Sequence, residues 1–306
     1  MTDLLGISSS LRRSVVEPIG RLVRLINVQK IIVASEALAA GVVTRQMLRK
    51  QYVKIYNNIY APEGVRLTAS DRALAAWLWS RGEATLVGHS AAAMLGTRWL
   101  PDDGPAEIAH AYQPGPPGIV IHRGALADDE VCVRGSLDCT TPARTAYDLG
   151  RRVVGDTAIV RIDALLNATG CTPAEVHAIA DRYPGARHIR RLRGALDLVD
   201  GGAESPKETE LRLHLVRSGL PRPVTQIRVG KRRVDMGWPQ WKIGVEYDGE
   251  HHWTNPDHYA ADIERLEYLA AQGWNIIRVS SRQLRYARAG VLRRVRSALV
   301  AVEALP

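Results

Sequence analysis

Residues 234–249 read Val-Asp-Met-Gly-Trp-Pro-Gln-Trp-Lys-Ile-Gly-Val-Glu-Tyr-Asp-Gly and hold three carboxylates at spacings that suit one strand face. Successive side chains along a strand point to opposite faces. Val234 and Met236 are therefore expected on one face and Asp235 on the other. Likewise Ile243, Val245 and Tyr247 oppose Glu246 and Asp248. A short hairpin through Pro239 and Gln240 with an even loop count sets Asp235 on the same face as Glu246 and Asp248. Like charges held this close repel unless a cation joins them. Oxygen-only ligands suit Mg²⁺ or Mn²⁺. Asp235, Glu246 and Asp248 are thus the expected metal ligands, and such an ion can activate water for phosphodiester hydrolysis. Buried strand faces rarely accept acids without a partner, which argues for Asp235 and Glu246. Asp248, before Gly249, also reads as a plain strand-ending turn residue.

The flanking elements follow from pattern. A helix is expected from Ser205 to about Ser218, started by Ser205 as cap, Pro206 at the first position and Glu208 in a capping box. A hairpin holds Thr225 to Val229 and Lys231 to Trp238. A strand spans Ile243 to Asp248, a helix Asp257 to Gln272 and a strand Asn275 to Ser280. A basic terminal helix runs from Ser281 to Val302. The order αβββαβα is a compact α/β layer. Asp262 and Arg265 read first as an i,i+3 helix ion pair, with a phosphate role for Arg265 second. Arg278 is expected on the face opposite Ile277 and Val279, where it can meet a phosphate. The arginines of the terminal helix (Arg282, Arg285, Arg288, Arg293, Arg294, Arg296) suit DNA steering beside the acidic site.

Residues 204 to about 285 resemble the PD-(D/E)xK nuclease superfamily, in particular its very-short-patch-repair-like branch. The matching pieces are Glu204-Ser-Pro-Lys-Glu-Thr, Val234-Asp235, Val245-Glu-Tyr-Asp-Gly249, His252, Asp262-x-x-Arg265 and Gly273-Trp-x-x-Ile-Arg278. The resemblance implies that Asp235 bridges metal and that Glu246 is the first acid of the (D/E)xK element. It makes Glu208 the helix glutamate of the metal shell and His252 a base or phosphate ligand. His251 is its neighbour, and either imidazole can turn inward. Asp248 stands where the family has lysine. An aspartate cannot supply that positive charge, though it can bind a second metal.

Nearer the N-terminus, Ala34 to Gly41 reads as a short helix. Thr44 caps a second helix through Lys50. Val43, Met47 and Leu48 turn inward, while Arg45, Gln46, Arg49 and Lys50 face out. Tyr52 to Tyr56 and Ile59-Tyr60 flank Asn57-Asn58, a pair suited to a tight hairpin. Helix, turn, basic helix, hairpin is the order of a winged helix-turn-helix. Residues 25–62 resemble the N-terminal winged-helix domain of AbiEi-type antitoxins. That implies operator binding through Arg45, Gln46, Arg49, Lys50 and Lys54. The alternative is a winged helix used for packing. An antitoxin-like head on a nuclease-like tail is an architecture similar to a family common in actinobacteria.

The expected fold class is α+β, in three parts. Residues 20–62 form a winged helix-turn-helix head. Residues 63–200 form a mixed α/β, mostly helical middle region. Residues 201–306 form a restriction-endonuclease-like α/β domain, with Gly201-Gly202 as the boundary. Residues 1–20 read as a mobile arm or a first helix. In the middle region Ser70 is expected to cap a helix, Pro101 to Gly118 to form a loop, and residues 120–122 and 131–133 to form strands. Its histidines His89, His110, His122 and His177 read as isolated. The arginines 187, 190, 191 and 193 read as a solvated face first and a phosphate contact second.

The 306 residues carry a formal net charge of +9, which favours a polyanionic partner. Three cysteines without CxxC spacing argue against a disulfide scaffold or a zinc site. No apolar run approaches the roughly 20 residues of a membrane span and no signal peptide is evident, so a cytoplasmic protein without membrane attachment is expected. These features point to a Mg²⁺- or Mn²⁺-dependent endonuclease acting on double-stranded DNA. The alternative is a DNA-binding regulator or AbiEi-type antitoxin with a non-cleaving tail. A third reading has the head hold a cognate toxin.

Overall fold

The computed structural model describes residues 30–111, 114–249 and 256–304, without side chains for 256–259. The expected N-terminal arm, His251 and His252 lie outside the described residues. The chain divides into two compact units, 1–67 and 68–306.

In the first unit, β1 (Ile32–Val33), α1 (Ala34–Ala39), α2 (Arg45–Gln51), β2 (Tyr52–Tyr56) and β3 (Ile59–Pro62) follow one another. The strands form an antiparallel sheet in the order β1-β3-β2. Thr44 caps α2 by accepting the Met47 N–H at 3.1 Å. Asn58 turns the hairpin with φ 66°. The same Asn58 also caps α1, which lacks a cap of its own: its carbonyl takes the Ala34 N–H and its Oδ1 takes the Ser35 N–H. Val43, Met47 and Leu48 pack with Ile32 and Ala37 into a small core.

The second unit begins with α3 (Ala69–Trp79), capped by Thr68 rather than by Ser70, because Thr68 and Asp71 form a reciprocal capping box. A five-stranded sheet follows in the order β6-β5-β4-β8-β7. Its strands are β4 (Thr85–Leu86), β5 (Ala106–Ala109), β6 (Ile119–His122), β7 (Val131–Arg134) and β8 (Leu137–Thr140), with α4 (Gly88–Met94) between β4 and β5. The stretch expected to be only loop thus contains β5. Its Ala-Glu-Ile-Ala sequence has weak strand propensity, and burial of Ala106 and Ile108 in the sheet decides it. Four helices follow: α5 (Pro142–Arg152), α6 (Asp156–Thr169), α7 (Pro173–Arg182) and α8 (Ile189–Leu196).

The chain on the two sides of Gly201-Gly202 packs as one body. Asp163 of α6 is fully buried and takes hydrogen bonds from Arg212 at 2.7 Å and Thr209 at 2.8 Å. Both partners lie on α9 (Pro206–Arg217). Its other oxygen accepts the Asp200 N–H at 2.7 Å. Removing one partner of such a pair leaves an uncompensated buried charge, so the junction is held firmly.

The tail continues with β9 (Val224–Val229), β10 (Arg232–Trp238), β11 (Ile243–Asp248), α10 (Pro256–Ala271), β12 (Asn275–Ser280), α11 (Ser281–Tyr286) and α12 (Arg288–Ala301). Its sheet runs β12-β11-β10-β9, with β11 and β12 parallel across α10. One sheet face (Met236, Trp238, Val245, Ile277, Val279) packs on Leu211 and Leu215 of α9 and on Leu284, Val291, Val295 and Leu299 of α11 and α12. The other meets Leu269 of α10 through Val234 and Ile276. The expected single terminal helix is broken at Ala287, and Arg288 Nε–H donates to the Leu284 carbonyl at 2.8 Å. The terminal helices lie on the sheet face away from the acids, not beside them as expected, because Val291, Val295 and Leu299 bury against the apolar face. No helix among the described residues is long and apolar enough to cross a membrane.

Candidate active site

β10 and β11 are joined by residues 239–242, an even loop, with Trp238 paired to Ile243 and Met236 to Val245. One step further, the register puts Asp235 across from Glu246. There the ladder gives way. The Tyr247 N–H donates to the Asp235 carboxylate at 2.9 Å. Across the sheet's other side, Gln226 opposes Asp235 and has φ 52°. This distortion overturns one expectation: Val234 and Met236 pack into opposite cores rather than sharing a face. Strict alternation assumes an undistorted strand, and this one is bent at Asp235.

Glu246 is 5% exposed and is held by Arg265 of α10 through both oxygens, at 2.6 and 2.9 Å. Arg265 also binds Asp262 at 2.8 Å, so the i,i+3 pair is real but is the lesser half of what Arg265 does. Arg278, opposite Glu246 in the parallel register, reaches Asp248 Oδ2 at 2.7 Å and Asp262 Oδ2 at 3.0 Å. A continuous chain results: Glu246, Arg265, Asp262, Arg278, Asp248. The second oxygen of Asp248 is buried without a hydrogen-bond partner among the described residues.

Glu208 sits at the first turn of α9. Its N–H donates to Ser205 Oγ at 3.2 Å, while its carboxylate takes the Glu204 N–H at 2.9 Å and lies 3.4 Å from Gln226 Nε2. It therefore caps the chain entering α9. It also lies near enough to Asp235 to repel it. Burial pushes the Asp235 carboxyl up, and Glu208 and then Glu246 add to this against the Tyr247 N–H and Arg265. It reaches about 7. Burial also raises the Glu208 carboxyl, against its hydrogen bonds. Hydrogen bonding to Glu246 keeps the Arg265 guanidinium firmly protonated despite burial. Asp235 and Glu208 are thus short of positive charge, while Glu246 and Asp248 are engaged by arginines. No group of three or more His, Cys, Asp or Glu among the described residues is placed to hold a metal ion as it stands.

Arg45, Gln46, Arg49 and Lys50 on α2 and Lys54 on β2 are all exposed in the first unit. Arg265 was visible in the sequence only as half of an Asp-x-x-Arg pair; its larger partner is 19 residues away. His89 and His122, read as isolated, both bind Glu107 at 2.7 Å. Burial alone would raise the Glu107 carboxyl, but these hydrogen bonds hold it well below the usual carboxylate range.

The acidic strand pair in this αβββαβα layer defines a restriction-endonuclease-like module. Residues 208–299 match the restriction endonuclease-like family model REase_MTES_1575. Residues 89–198 match the AbiEi antitoxin C-terminal domain, so the chain joins an AbiEi antitoxin module to an endonuclease-like one. The antitoxin match falls on the middle region, which held no chemistry legible in the sequence. Two uncharacterized proteins of Mycobacterium tuberculosis, from strains CDC 1551 and H37Rv, are each 29% identical over 249 residues, covering 76% of this chain and 89% of theirs. No solved structure gives a significant match.

Proposed function

We propose that the protein is a metal-dependent endonuclease on double-stranded DNA, with residues 20–62 as a winged-helix DNA-binding head and 201–306 as the nuclease tail. The observation that carries this is the meeting of Asp235 with Glu246 across the strand pair and with Glu208 of α9 in one partly buried acidic cluster, whose repulsion together with burial pushes the Asp235 carboxyl up. The donors are oxygens, which fits Mg²⁺ or Mn²⁺. Asp235 and Glu208 would hold the ion, with Glu246 joining when Arg265 releases it. Asp248 offers its unpartnered oxygen from the adjoining strand position. The bound ion would supply an activated water and stabilise charge on the scissile phosphate. Arg278 is poised to exchange a carboxylate for a phosphate oxygen, and His252 is the candidate base by its sequence position. On the head, Arg45, Gln46, Arg49, Lys50 and Lys54 would contact DNA.

A second reading is supported by the same site. Glu246 is saturated by Arg265 and lysine is replaced by Asp248, as suits a tail that binds without cutting. The AbiEi antitoxin match then favours an antitoxin or regulator with a cognate toxin partner. Plasmid cleavage with Mg²⁺ or Mn²⁺ separates the two readings. Wild type should cut, and the double variant Asp235→Ala/Glu246→Ala should not. Equal background cutting by both would leave the binding-only reading.

A further inference from the structure

Outside the acidic site, the middle region holds a cleft of about 220 Å³ between the end of β6, the 123–126 turn and α5. Arg123, Arg144, Arg151 and Arg152 line it, and Asp148 is the one carboxylate in its wall. Asp148 is fully buried and receives three guanidiniums: Arg144 at 3.2 Å, Arg151 at 3.3 Å and Arg152 at 3.1 Å. Behind it, buried Glu130 takes the other side of Arg144 and the Tyr183 hydroxyl. Three guanidiniums thus share Asp148 and Glu130. Glu107 lies 3.8 Å from Arg152, but its oxygens are already taken by His89 and His122.

Two donors, Arg151 Nε and Arg152 Nη1, are buried behind this wall without a hydrogen-bond partner among the described residues. Arg123 is exposed at the mouth without a carboxylate partner among them. Burial pulls the Arg152 guanidinium down, against Asp148 and Glu107. The guanidinium planes are fixed before any ligand arrives. Arg151 stacks on Tyr147 at 4.4 Å, and Arg144 lies over Tyr147 and Tyr183 at 5.4 and 5.6 Å. Rigid, crowded guanidinium forks, with exposed Arg123 at the mouth, match the tetrahedral oxygens of phosphate. Glu107 stays ionised, so four guanidiniums face the three carboxylates Asp148, Glu130 and Glu107, and the cleft keeps a net positive charge that favours an anion such as a terminal phosphate.

We infer that this cleft is a binding site for a terminal phosphate group, carried by a free polyphosphate or by a nucleotide. A duplex backbone does not suit it, because Arg151 and Arg152 are recessed, with side chains 16% and 28% exposed. The site is independent of the endonuclease reading, since it uses no residue of that cluster.

Calorimetric titration of the full chain at low salt with tripolyphosphate, ATP and a short DNA duplex tests the inference. Wild type should bind tripolyphosphate or ATP at one site. Arg123→Glu, an exposed change that leaves the packing intact, should weaken that binding about tenfold or more, the scale of one charge-assisted hydrogen bond. Arg152→Lys, which keeps the charge but loses the fork, should weaken it less than Arg152→Gln. Equal affinities for tripolyphosphate and ATP mean that phosphate alone is read, whereas tighter ATP binding means that the nucleoside is read too. No saturable binding of either, unchanged affinity in Arg123→Glu, or binding of duplex alone would overturn the inference.

Discussion

Arg265 grips Glu246 by both carboxylate oxygens, at 2.6 and 2.9 Å, and thereby ties α10 to the centre of the acidic strand pair. A guanidinium so placed does for Glu246 what a metal ion would do: it neutralises a nearly buried acid. The same arginine joins Asp262 and, through it, Arg278 and Asp248. On the proposed reading, stability and metal binding therefore compete for the same carboxylates.

Arg265→Ala should destabilise the second unit by about 3 kcal/mol, because it leaves Glu246 charged and unpaired in a nearly buried position. The further change Glu246→Gln should restore part of the loss. Urea unfolding of the two single variants and the double variant measures the coupling, and purely additive losses would sink the idea.

Metal affinity should move the opposite way. Mn²⁺ titration should show tighter binding by Arg265→Ala than by wild type, since the competing cation is gone. Glu246→Ala and Asp235→Ala should weaken it. Equal Mn²⁺ binding by wild type and Glu246→Ala would remove Glu246 from the ligand set.

Asp235 makes a pH-dependent contribution in metal-free protein. Its folded value of about 7 lies above the unfolded 3.8. The folded state therefore holds the proton more tightly. Its contribution is fully present below pH 4 and is lost as pH rises through 7. Asp235→Asn keeps an acceptor for the Tyr247 N–H and removes the charge. Its stability relative to wild type should rise between pH 4 and 7 and level off above, by about 4 kcal/mol at most. Denaturant melts in EDTA at pH 4.5 and 8 test this; a flat difference between the two would refute it.

On the head, Arg49→Ala should weaken duplex DNA binding by about 1–3 kcal/mol if Arg49 reads a base, or lower the salt slope by about one if it meets a phosphate. Fluorescence anisotropy over a salt series distinguishes these outcomes. Unchanged affinity and slope would argue that α2 packs rather than reads DNA.

Much of this was legible locally. Thr44 announced α2, and Asn58 announced the hairpin. The alternation from Ile243 to Asp248 announced β11, and an even loop after Trp238 set Asp235 across from Glu246. Caps, turn chemistry and strand period act over a few residues, so one sequence carries them. Fewer of the middle strands were legible: β4 and β5 are short and rich in Ala or Thr, and they exist because a sheet buries them. The site's partners were hidden for a related reason. Nothing in Asp-x-x-Arg says that Arg265 spends its strongest contacts on a glutamate 19 residues earlier, or that Arg278 joins Asp248 to Asp262.

By itself, then, the sequence determined which residues bear charge and that Glu246 and Asp248 share a strand face. Only the tertiary structure decided which charges meet. Packing α10 on the sheet brings Arg265 to Glu246 and leaves Asp235 with Glu208. In a buried setting that choice of neighbours governs whether a carboxylate is satisfied or waits for a cation.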